Sequence, residues 1–326
     1  MRHLLPLILL ASLFLALPSL AADTAKRGGL VMQFDDGWTS WATLIAPELK
    51  AVGGKANGFV NNQNIKSGRI TKDDLLALQN TYGWEIGTHT WHHLNSPAYV
   101  RSKGMEAWKT QELLKSITEL RALGLNIRSL VFPFNAYTPE LAKEVQPLVE
   151  SYRRSETLAV ANTVSADKSI PGTAIDMAHY VPPPLLMKWI DLAVERDTLL
   201  LLYGHRILPD SSFVTGKVVS VTATTITAEV PVTLPTGSDL VLVPDITRRP
   251  VTPDYFHVQG VAGTTLRVDR PDLATNTKPG AIFMVGEAYS MRLSDFRAMV
   301  KYASEHVTFY TMHEAVERGT RKTTDP

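Results

Sequence analysis

The 326-residue sequence predicts an α/β fold with a parallel sheet, either open or closed into a barrel, and an inserted all-β domain. The first part of the chain alternates short apolar runs with longer amphipathic segments, a pattern typical of parallel strands joined by helices. Short strands separated by Gly, Asp and Pro then occupy residues 213–285, before helical periodicity returns. The expected organisation is a two-piece α/β domain, an insert and a tail: residues 28–208 with 288–320, 209–287, and 321–326.

The composition is that of an ordinary globular protein. Hydrophobic residues make up 44% of the chain and charged residues 20%, which excludes a disordered, collagen-like or coiled-coil protein. The 33 Lys and Arg residues nearly balance the 32 Asp and Glu residues, so the net charge of the sequence does not indicate nucleic-acid binding. Cysteine is absent from the sequence, which excludes disulfides, thiolate zinc sites, iron–sulfur clusters and cysteine nucleophiles. Any bound metal must therefore have nitrogen and oxygen ligands.

The N-terminal residues 1–21 predict a secretory signal peptide. A short basic start precedes an apolar run, and the small residues Ala21 and Ala22 form a cleavage site. An uncleaved membrane anchor would need about 20 apolar residues, whereas this run is interrupted by Pro6 and Pro18. We expect cleavage after Ala21 or Ala22 and a periplasmic or secreted protein that keeps no membrane span.

Five apolar runs in the first part of the chain predict buried strands, because each is bounded by Gly, Pro or Asn. They are residues 30–34, 56–60, 84–88, 129–132 and 199–203. Thr71 and Asp74 predict the start of a helix, with Asp in place of the usual third-position Glu. Leu113 and Leu120 lie on one face of a second predicted helix, which ends near Gly124.

The insert is expected to consist of short strands. Residues 226–234 alternate apolar and other residues, which is the period of a half-buried strand. Further strands are predicted at residues 240–243, 255–261, 265–268 and 281–285. After the insert, the pattern predicts a helix, a strand and a helix at residues 293–303, 307–311 and 312–318.

Two adjacent carboxylates, Asp35 and Asp36, end the first predicted strand, where parallel α/β folds place their active sites. Neighbouring side chains of a regular strand point to opposite faces, so the pair does not suit glycoside hydrolysis, which needs two carboxylates around one bond. Where the strand gives way to a turn, one carboxylate can bind a cation while the other accepts a proton. A plain strand-end turn, which Asp and Gly favour, is the alternative.

Three of the nine histidines lie within residues 89–93, at the end of another predicted strand. His89 and His93 have the spacing that can place two imidazoles on one face of a helical turn, although spacing alone also allows His89 with His92. Two imidazoles and one carboxylate form a typical catalytic zinc set. The segment therefore predicts metal ligands.

A further histidine, His205, follows the apolar run 199–203. An imidazole at the mouth of a buried strand is well placed as an acid or base, because its pKa lies near neutrality. A capping or solvated histidine is the alternative. The segment 131–135 ends another strand at Pro133 and by itself indicates only an apolar strand stopped by proline.

The order of these segments resembles the polysaccharide deacetylases of the NodB type, carbohydrate esterase family 4. The motifs of that family are a Phe-Asp-Asp-Gly block, a His-Ser/Thr-x-x-His block, a Pro-Tyr/Phe block and a hydrophobic strand that ends in His. They correspond here to Phe34-Asp35-Asp36-Gly37, His89-Thr90-Trp91-His92-His93, Phe132-Pro133-Phe134 and Leu202-Tyr203-Gly204-His205. The resemblance covers residues 29–208, resumes at 292–317 and implies a distorted (β/α) barrel with fewer than eight strands.

The resemblance also implies a metal centre. Its ligands would be Asp36, His89 and His93, with His92 as a spectator. The implied cofactor is one divalent metal ion, with Zn²⁺ favoured over Co²⁺ or Ni²⁺.

The implied reaction is removal of the acetyl group from N-acetylated amino sugars of a polysaccharide, with release of acetate. Asp35 would be the catalytic base and His205 the general acid. The backbone N–H of Phe134 would help to hold the oxyanion.

The sequence departs from the family pattern at several positions. Val131 stands where many members carry an arginine that tunes the base, and Arg153 or Arg154 from the next strand is the expected substitute. Gln33 replaces a threonine, and Asn135 replaces a glycine. The acidic partner of His205 stays open among Asp176, Asp191 and Asp197.

Four residues are expected to contact the substrate: Trp38, Trp91, Pro133 and Arg154. Aromatic faces suit sugar rings, but tryptophan is also often mostly buried, and Trp41 is expected in the core. Two other functions stay open, namely a non-catalytic glycan-binding protein that uses the insert as its binding module, and a deacylase of a non-polymeric amide. Because the insert follows directly after His205, we expect it at the rim of the barrel's C-terminal face; a packing or partner-docking appendage is the alternative.

Overall fold

The computed structural model describes residues 26–156, 158, 160, 161, 167–248 and 255–324. The predicted signal peptide at residues 1–21 lies outside the described residues, as do the last two residues of the predicted tail. Among the described residues, each helix is too short or too polar to cross a lipid bilayer.

Nine strands form the main sheet. They are β1 Gly29–Asp36, β2 Asn57–Val60, β3 Glu85–Thr88, β4 Ser129–Val131, β5 Ser151–Ser155, β6 Val160–Ala161, β7 Ser169–Ala174, β8 Leu199–Gly204 and β17 Thr308–Phe309. Seven parallel strands close into a barrel in the order β1-β2-β3-β4-β5-β7-β8, because β8 also pairs with β1. Outside this ring, β17 adds to β1, and β6 pairs antiparallel with β8. The closed ring confirms the predicted (β/α) barrel with fewer than eight strands.

The sequence predicted five of the seven barrel strands, and the structure adds β5 and β7. Their sequences, SYRRS and SIPGTA, lack the continuous apolar run used to identify buried strands. One of the polar residues of β5, Arg153, is fully buried inside the barrel. Its charge is compensated there by a buried carboxylate, as described below.

The helices surround the barrel and cap the insert. They are α1 Ala46–Ala51, α2 Asn62–Lys66, α3 Lys72–Asn80, α4 Ser96–Lys103, α5 Met105–Trp108, α6 Lys115–Ala122, α7 Pro139–Val145, α8 Pro183–Arg196, α9 Leu273–Asn276, α10 Leu293–His306 and α11 Met312–Thr324. Short π-helical turns occupy Trp41–Ile45 and Lys109–Leu114, and 3₁₀ turns occupy Pro133–Asn135, Met177–His179 and Asp210–Ser212.

Local signals explain where two of these helices begin and end. Thr71 and Asp74 form the capping box expected at the start of α3, since each side chain accepts a hydrogen bond from the other residue's backbone N–H at 3.1 Å. The helix containing Leu113 and Leu120 begins at Met105 as α5, passes through the π-helical turn and continues as α6. It stops before Gly124, whose φ of 95° suits a residue without a Cβ atom.

The apolar core has two layers. Between the sheet and the helices lie large side chains such as Trp41, Trp108 and Phe296, all fully buried. A smaller cluster that includes Val31 and Phe59 is assembled from neighbouring barrel strands. This packing holds the barrel strands in register.

Strand register brings the motif residues to one rim. Asp36 at the end of β1 is level with the last residues of β2 and β3, so His89 follows directly beyond β3. On the other side of β1, Phe34 is level with Gly204 of β8, so His205 follows on the same rim. The carboxyl ends of these parallel strands therefore meet around one site.

The insert is a six-stranded antiparallel closed barrel, which confirms the predicted all-β domain. Its strands are β10 Val214–Val221, β11 Thr225–Ala228, β12 Leu240–Val243, β13 Phe256–Ala262, β14 Thr265–Val268 and β15 Ile282–Glu287. The long strand expected over residues 226–234 is wrong, because β11 ends at Ala228. Pro231 lacks the N–H that a continued ladder would need. The domain limits at 209–287 stay a prediction.

The insert is attached to the barrel by a two-stranded parallel ribbon. Its strands, β9 Arg206–Leu208 and β16 Ser290–Arg292, pair over their full length. A second contact is apolar, since Met177 and Tyr180 from the loop after β7 share a buried cluster with Val241 and Met284 of the insert. These two contacts fix the insert beside the rim that carries His205.

Candidate active site

Asp35 is held inside the barrel by Arg153. Both residues are buried, with relative exposures of 3% and 0%. The Arg153 Nη1 donates to Asp35 Oδ1 at 2.9 Å, and Nη2 donates to Oδ2. Burial alone would raise the pKa of Asp35, but the charge and hydrogen bonds of Arg153 outweigh it and lower the pKa to about 2. The carboxylate is therefore ionised at neutral pH.

Arg153 is itself oriented by neighbouring polar groups. Asn135 accepts from its Nε and Nη2 at 3.2 and 3.1 Å and donates to the hydroxyl of Tyr203 at 3.0 Å. The guanidinium carbon lies 3.8 Å from the centre of the Tyr203 ring. Asn135, which replaces the family glycine, thus supports the arginine that reaches Asp35.

Of the two arginines weighed as substitutes, Arg153 reaches the base and Arg154 does not. Successive side chains of β5 point to opposite faces. The Arg154 Nε donates to Glu156 at 2.7 Å, and Nη1 donates to Ser169 Oγ at 2.8 Å. The structure therefore places Arg154, expected to contact substrate, away from Asp35.

Three predicted ligands converge on one point. Asp36, His89 and His93 each offer a ligand atom, and these atoms all lie within 4.8 Å of one another. The Asp36 Oδ1 is 3.6 Å from His89 Nε2 and 3.1 Å from His93 Nε2. One carboxylate and two imidazoles thus form the N/O donor set that the cysteine-free sequence requires.

The backbone carbonyl of Val131 sets the tautomer of His89. It accepts from His89 Nδ1 at 2.7 Å, which leaves the lone pair of Nε2 directed at Asp36. Burial lowers the pKa of His89 to about 4, so the imidazole is neutral at pH 7, as a metal ligand must be. Val131, which stands where many members of the similar family carry an arginine, thus supplies its backbone carbonyl to the imidazole of His89.

The donor set fits a divalent cation. The Asp36 Oδ1 is buried and without a hydrogen-bond partner among the described residues. A buried carboxylate oxygen beside an imidazole lone pair is unfavourable unless a positive charge lies between them. The arrangement therefore fits a metal ion better than a closed hydrogen-bond network.

The ligand loop is not the helical turn suggested by the i, i+4 spacing. Residues 89–95 form no helix. Instead, Thr90 and His93 have left-handed backbone conformations, with φ of 62° and 58°. His92 turns away from the cluster and binds Glu112, which accepts from its backbone N–H at 2.9 Å and pairs with Nδ1 at 2.6 Å.

Backbone strain is concentrated at this rim. Among the described residues, seven non-glycine residues have positive φ, and five of them surround the site: Asp36, Thr90, His93, Phe134 and Asn135. Such conformations cost of order 1–3 kcal/mol each and persist where the surroundings impose them. The concentration is typical of a functional site.

His205 is paired with Asp176, which lies in the loop after β7. The Asp176 carboxylate accepts from the backbone N–H of His205 at 3.2 Å and pairs with its Nδ1 at 2.7 Å. Burial would lower the pKa of His205, but Asp176 outweighs it and raises the pKa to about 9. The imidazole is therefore protonated at neutral pH.

The other two acidic candidates for His205 have different partners. Asp191 accepts from the hydroxyl of Tyr302 at 2.6 Å. Asp197 accepts from the backbone of Gly28 and from Arg318, at 2.8 and 2.7 Å. Of the three candidates left open by the sequence, Asp176 is therefore the partner of His205.

The expected aromatic contacts divide between the site and other environments. Trp41 is fully buried, as expected, and its Nε1 donates to the backbone carbonyl of His205 at 2.8 Å. Trp38 is half-buried, with the guanidinium carbons of Arg69 and Arg206 at 4.2 and 4.3 Å from its ring centre. The two guanidinium groups thus cover part of the indole of Trp38, which was expected to contact the substrate.

Trp91 lines a cavity beside the helix α6. Its Nε1 donates to Glu119 at 2.7 Å, and the Lys115 ammonium lies 4.2 Å from its ring centre. The cavity, of about 380 Å³, is lined by Asn62, Ile65, Lys66, Trp91, Glu119, Ala122 and Leu123. These lining residues do not include the candidate metal ligands Asp36, His89 and His93.

The segment Pro133–Asn135 lies beside His93, one of the three candidate metal ligands. Pro133 is buried, while Phe134 has φ of 60° and a side chain that is 65% exposed. The Phe134 ring centre lies 4.8 Å from that of His93. Phe134 therefore presents its ring at the mouth of the site.

Sequence reasoning missed Tyr289. This residue is 51% exposed, and its ring centre lies 5.0 Å from that of His205. It comes from the turn between β15 and β16, far from every motif in the sequence. The available signal was a single aromatic residue just after the insert, which by itself indicates little.

Comparison with known families identifies one match. The family model described as polysaccharide deacetylase matches residues 22–148. This segment holds Asp35, Asp36, the histidine segment and Phe134, but it ends before His205. A search of curated proteins gives no match.

Solved structures give distant matches. The catalytic domain of a peptidoglycan N-acetylglucosamine deacetylase from Eubacterium rectale is 15% identical, with 56% of this chain and 81% of that chain covered and a TM-score of 0.38. A family 4 carbohydrate esterase from Streptomyces lividans, in complex with acetate, is 14% identical, with 56% and 80% covered and a TM-score of 0.38. A CE4 family pseudoenzyme from Bacillus anthracis is 14% identical, with 54% and 55% covered and a TM-score of 0.37, so this chain spans about half of that protein.

Proposed function

We propose that this chain, whose residues 22–148 match the family model described as polysaccharide deacetylase, is an exported, metal-dependent enzyme that removes acetyl groups from N-acetylated amino sugars of a polysaccharide. The proposed reaction is hydrolysis of a carbon–nitrogen bond other than a peptide bond. The observation that carries the proposal is the convergence of Asp36, His89 and His93 beside an ionised Asp35 and a protonated His205.

Asp36, His89 and His93 would hold one divalent ion, for which Zn²⁺ is the preferred candidate because two imidazoles and a carboxylate suit it. When bound, the ion would polarise the amide carbonyl and favour deprotonation of a water molecule. The hydrogen bond from His89 Nδ1 to the Val131 carbonyl keeps Nε2 available for this role.

Asp35 and His205 supply the proton transfers. In the proposed reaction, Asp35 takes a proton as the water oxygen bonds to the carbonyl carbon. The carbon–nitrogen bond then breaks, and His205 gives its proton to the departing nitrogen, because an amide anion is too basic to leave. Acetate and a free amine result, and the backbone N–H of Phe134 is the proposed additional donor to the oxyanion.

The surroundings of the site support a large glycan substrate. Three of the five large hydrophobic side chains that are exposed among the described residues lie at or next to this rim: Leu94, Phe134 and Tyr289. Rigid apolar surface of this kind suits the faces of sugar rings. Export is supported by the signal-peptide pattern of residues 1–21.

The test is acetate release from N-acetylglucosamine oligosaccharides by the purified protein, before and after treatment with a chelator and readdition of Zn²⁺. We expect activity that is lost with chelator and restored by metal. His93→Asn should lose both bound metal and activity, because it removes a ligand. His92→Asn, the matched control, should keep both, because His92 lies outside the ligand set.

The alternative functions predict other results. Tight glycan binding without acetate release, in protein carrying one metal per chain, would contradict an enzymatic role and favour a glycan-binding protein. Turnover of small N-acetyl amides without turnover of any oligosaccharide would favour a deacylase of non-polymeric substrates.

A further inference from the structure

We propose that Tyr289 forms a stacking platform for a sugar ring of the polymer, next to the residue that is deacetylated and on the side of His205. The inference rests on the proposed function. It assigns a substrate subsite to the attachment point of the insert, outside the segment that matches the family model.

Tyr289 is exposed on a rigid frame. Its neighbours in the turn are buried, with Ala288 at 2% and Ser290 at 0% relative exposure, whereas Tyr289 is 51% exposed. The turn is fixed on one side by β15 of the insert barrel and on the other by the pairing of β16 with β9. An aromatic ring held in this way loses little conformational freedom when a ligand stacks on it.

The position of the ring relates it to the reaction. The ring centres of Tyr289 and His205 are 5.0 Å apart, and the ring planes are inclined by 59°. The adjacent ribbon is held by an ion pair between Arg206, the residue after His205, and Glu287 at the end of β15. A sugar bound against Tyr289 therefore lies beside the group that protonates the leaving amine.

Polar groups of the insert continue the surface beyond Tyr289. The backbone N–H of Ala288 donates to the carbonyl of Asp239 at 2.9 Å, and the Asp239 carboxylate pairs with His257 at 3.2 Å. His257 in turn packs edge-on against Tyr255, with ring centres 5.4 Å apart. The side chains of Asp239 and His257 are 45% and 46% exposed, so they can bond to sugar hydroxyl groups.

This arrangement predicts a dependence on chain length. A single N-acetylglucosamine at the proposed metal site does not reach the neighbouring position on Tyr289, whereas a hexamer occupies both positions. Loss of the ring should therefore weaken the binding of the longer substrate and leave the chemical step unchanged. A merely structural role in holding His205 would instead lower kcat for both substrates.

The experiment compares wild-type protein with Tyr289→Ala and Tyr289→Phe on N-acetylglucosamine and on its hexamer. For Tyr289→Ala we expect the KM for the hexamer to rise roughly three- to tenfold, the size of one stacked-ring contact, with kcat for both substrates unchanged. Tyr289→Phe should behave as wild type because it keeps the ring. Val230→Ala, which removes a 59% exposed apolar side chain elsewhere on the insert, is the matched control.

The outcomes separate this inference from the proposed function. Equal losses on the monosaccharide and the hexamer, or an unchanged KM for the hexamer in an active protein, would overturn the subsite while leaving the deacetylase proposal intact. A wild-type protein that releases no acetate from either substrate would contradict the proposed function and this inference with it. If Tyr289→Ala fails to fold, Tyr289→Ser, which suits a turn, replaces it in the same comparison.

Discussion

Replacing Asp176 by asparagine should move the alkaline limit of activity to lower pH. Asp176 raises the pKa of His205 to about 9, from an ordinary value of 6.5. Asparagine preserves the shape but removes the charge, while the burial that lowers this pKa remains, so the pKa should fall from about 9 toward the ordinary value. A fall all the way to the ordinary value of 6.5 would lower the protonated fraction of His205 at pH 8 from about nine-tenths to about three-hundredths, so the loss in rate is expected to be at most roughly 30-fold.

The assay is acetate release between pH 5 and 10, analysed as kcat/KM, which reports ionisations of the free enzyme. Asp191→Asn is the control, because Asp191 bonds to Tyr302 and should leave the profile unchanged. If Asp176→Asn retained the wild-type profile up to pH 9, the assignment of His205 as the acid held by Asp176 would be refuted.

Three further outcomes are expected. Arg153→Met should lower the free energy of unfolding by about 3–5 kcal/mol, because it leaves the buried carboxylate of Asp35 without its partner. Arg154→Met should lower it by about 1 kcal/mol or less. Equal effects of the two substitutions in denaturant titration would contradict the buried ion pair of Arg153 and Asp35. Zn²⁺ at a hundred times its Kd should stabilise the wild type by about 2.7 kcal/mol, and a melting temperature that rises equally in Asp36→Asn would argue against the site. Trp41→Phe removes the donor to the His205 carbonyl and shrinks a fully buried side chain, so it should cost more than about 1 kcal/mol in denaturant titration; no change would contradict both contributions.

The sequence predicted the barrel well where strands are continuously apolar. It identified β1 and β8 because each is buried along nearly its whole length. The apolar pattern did not identify β5 and β7, because an interior arginine and several small polar residues hide the apolar signal, and only the resemblance to a known family placed Arg153 and Arg154 on a strand. Tertiary pairing, which a local pattern does not contain, decided those two strands.

The same limit applies to the candidate site. Strand ends and histidine spacing predicted one carboxylate and two imidazoles at a common edge of the sheet, but the choice of Asp36, His89 and His93 came from the resemblance to a known family. The choice of Arg153 required knowing which face of β5 looks into the barrel. Asp176 precedes His205 by 29 residues and belongs to an unpredicted strand end, so only the folded chain could bring them together.

The parallel ribbon of β9 and β16 is the junction at which the insert can be replaced by another domain. The chain leaves the α/β domain at Leu208 and re-enters at Ser290, on strands spaced about 5 Å apart, as paired strands are. Because β9 and β16 are parallel, Ser290 is level with Arg206 and not with Leu208, so a replacement segment must carry the chain back along the ribbon, which takes roughly a dozen residues or more. Joining a different domain at this junction offers a route to altered substrate preferences while the seven-stranded ring is kept.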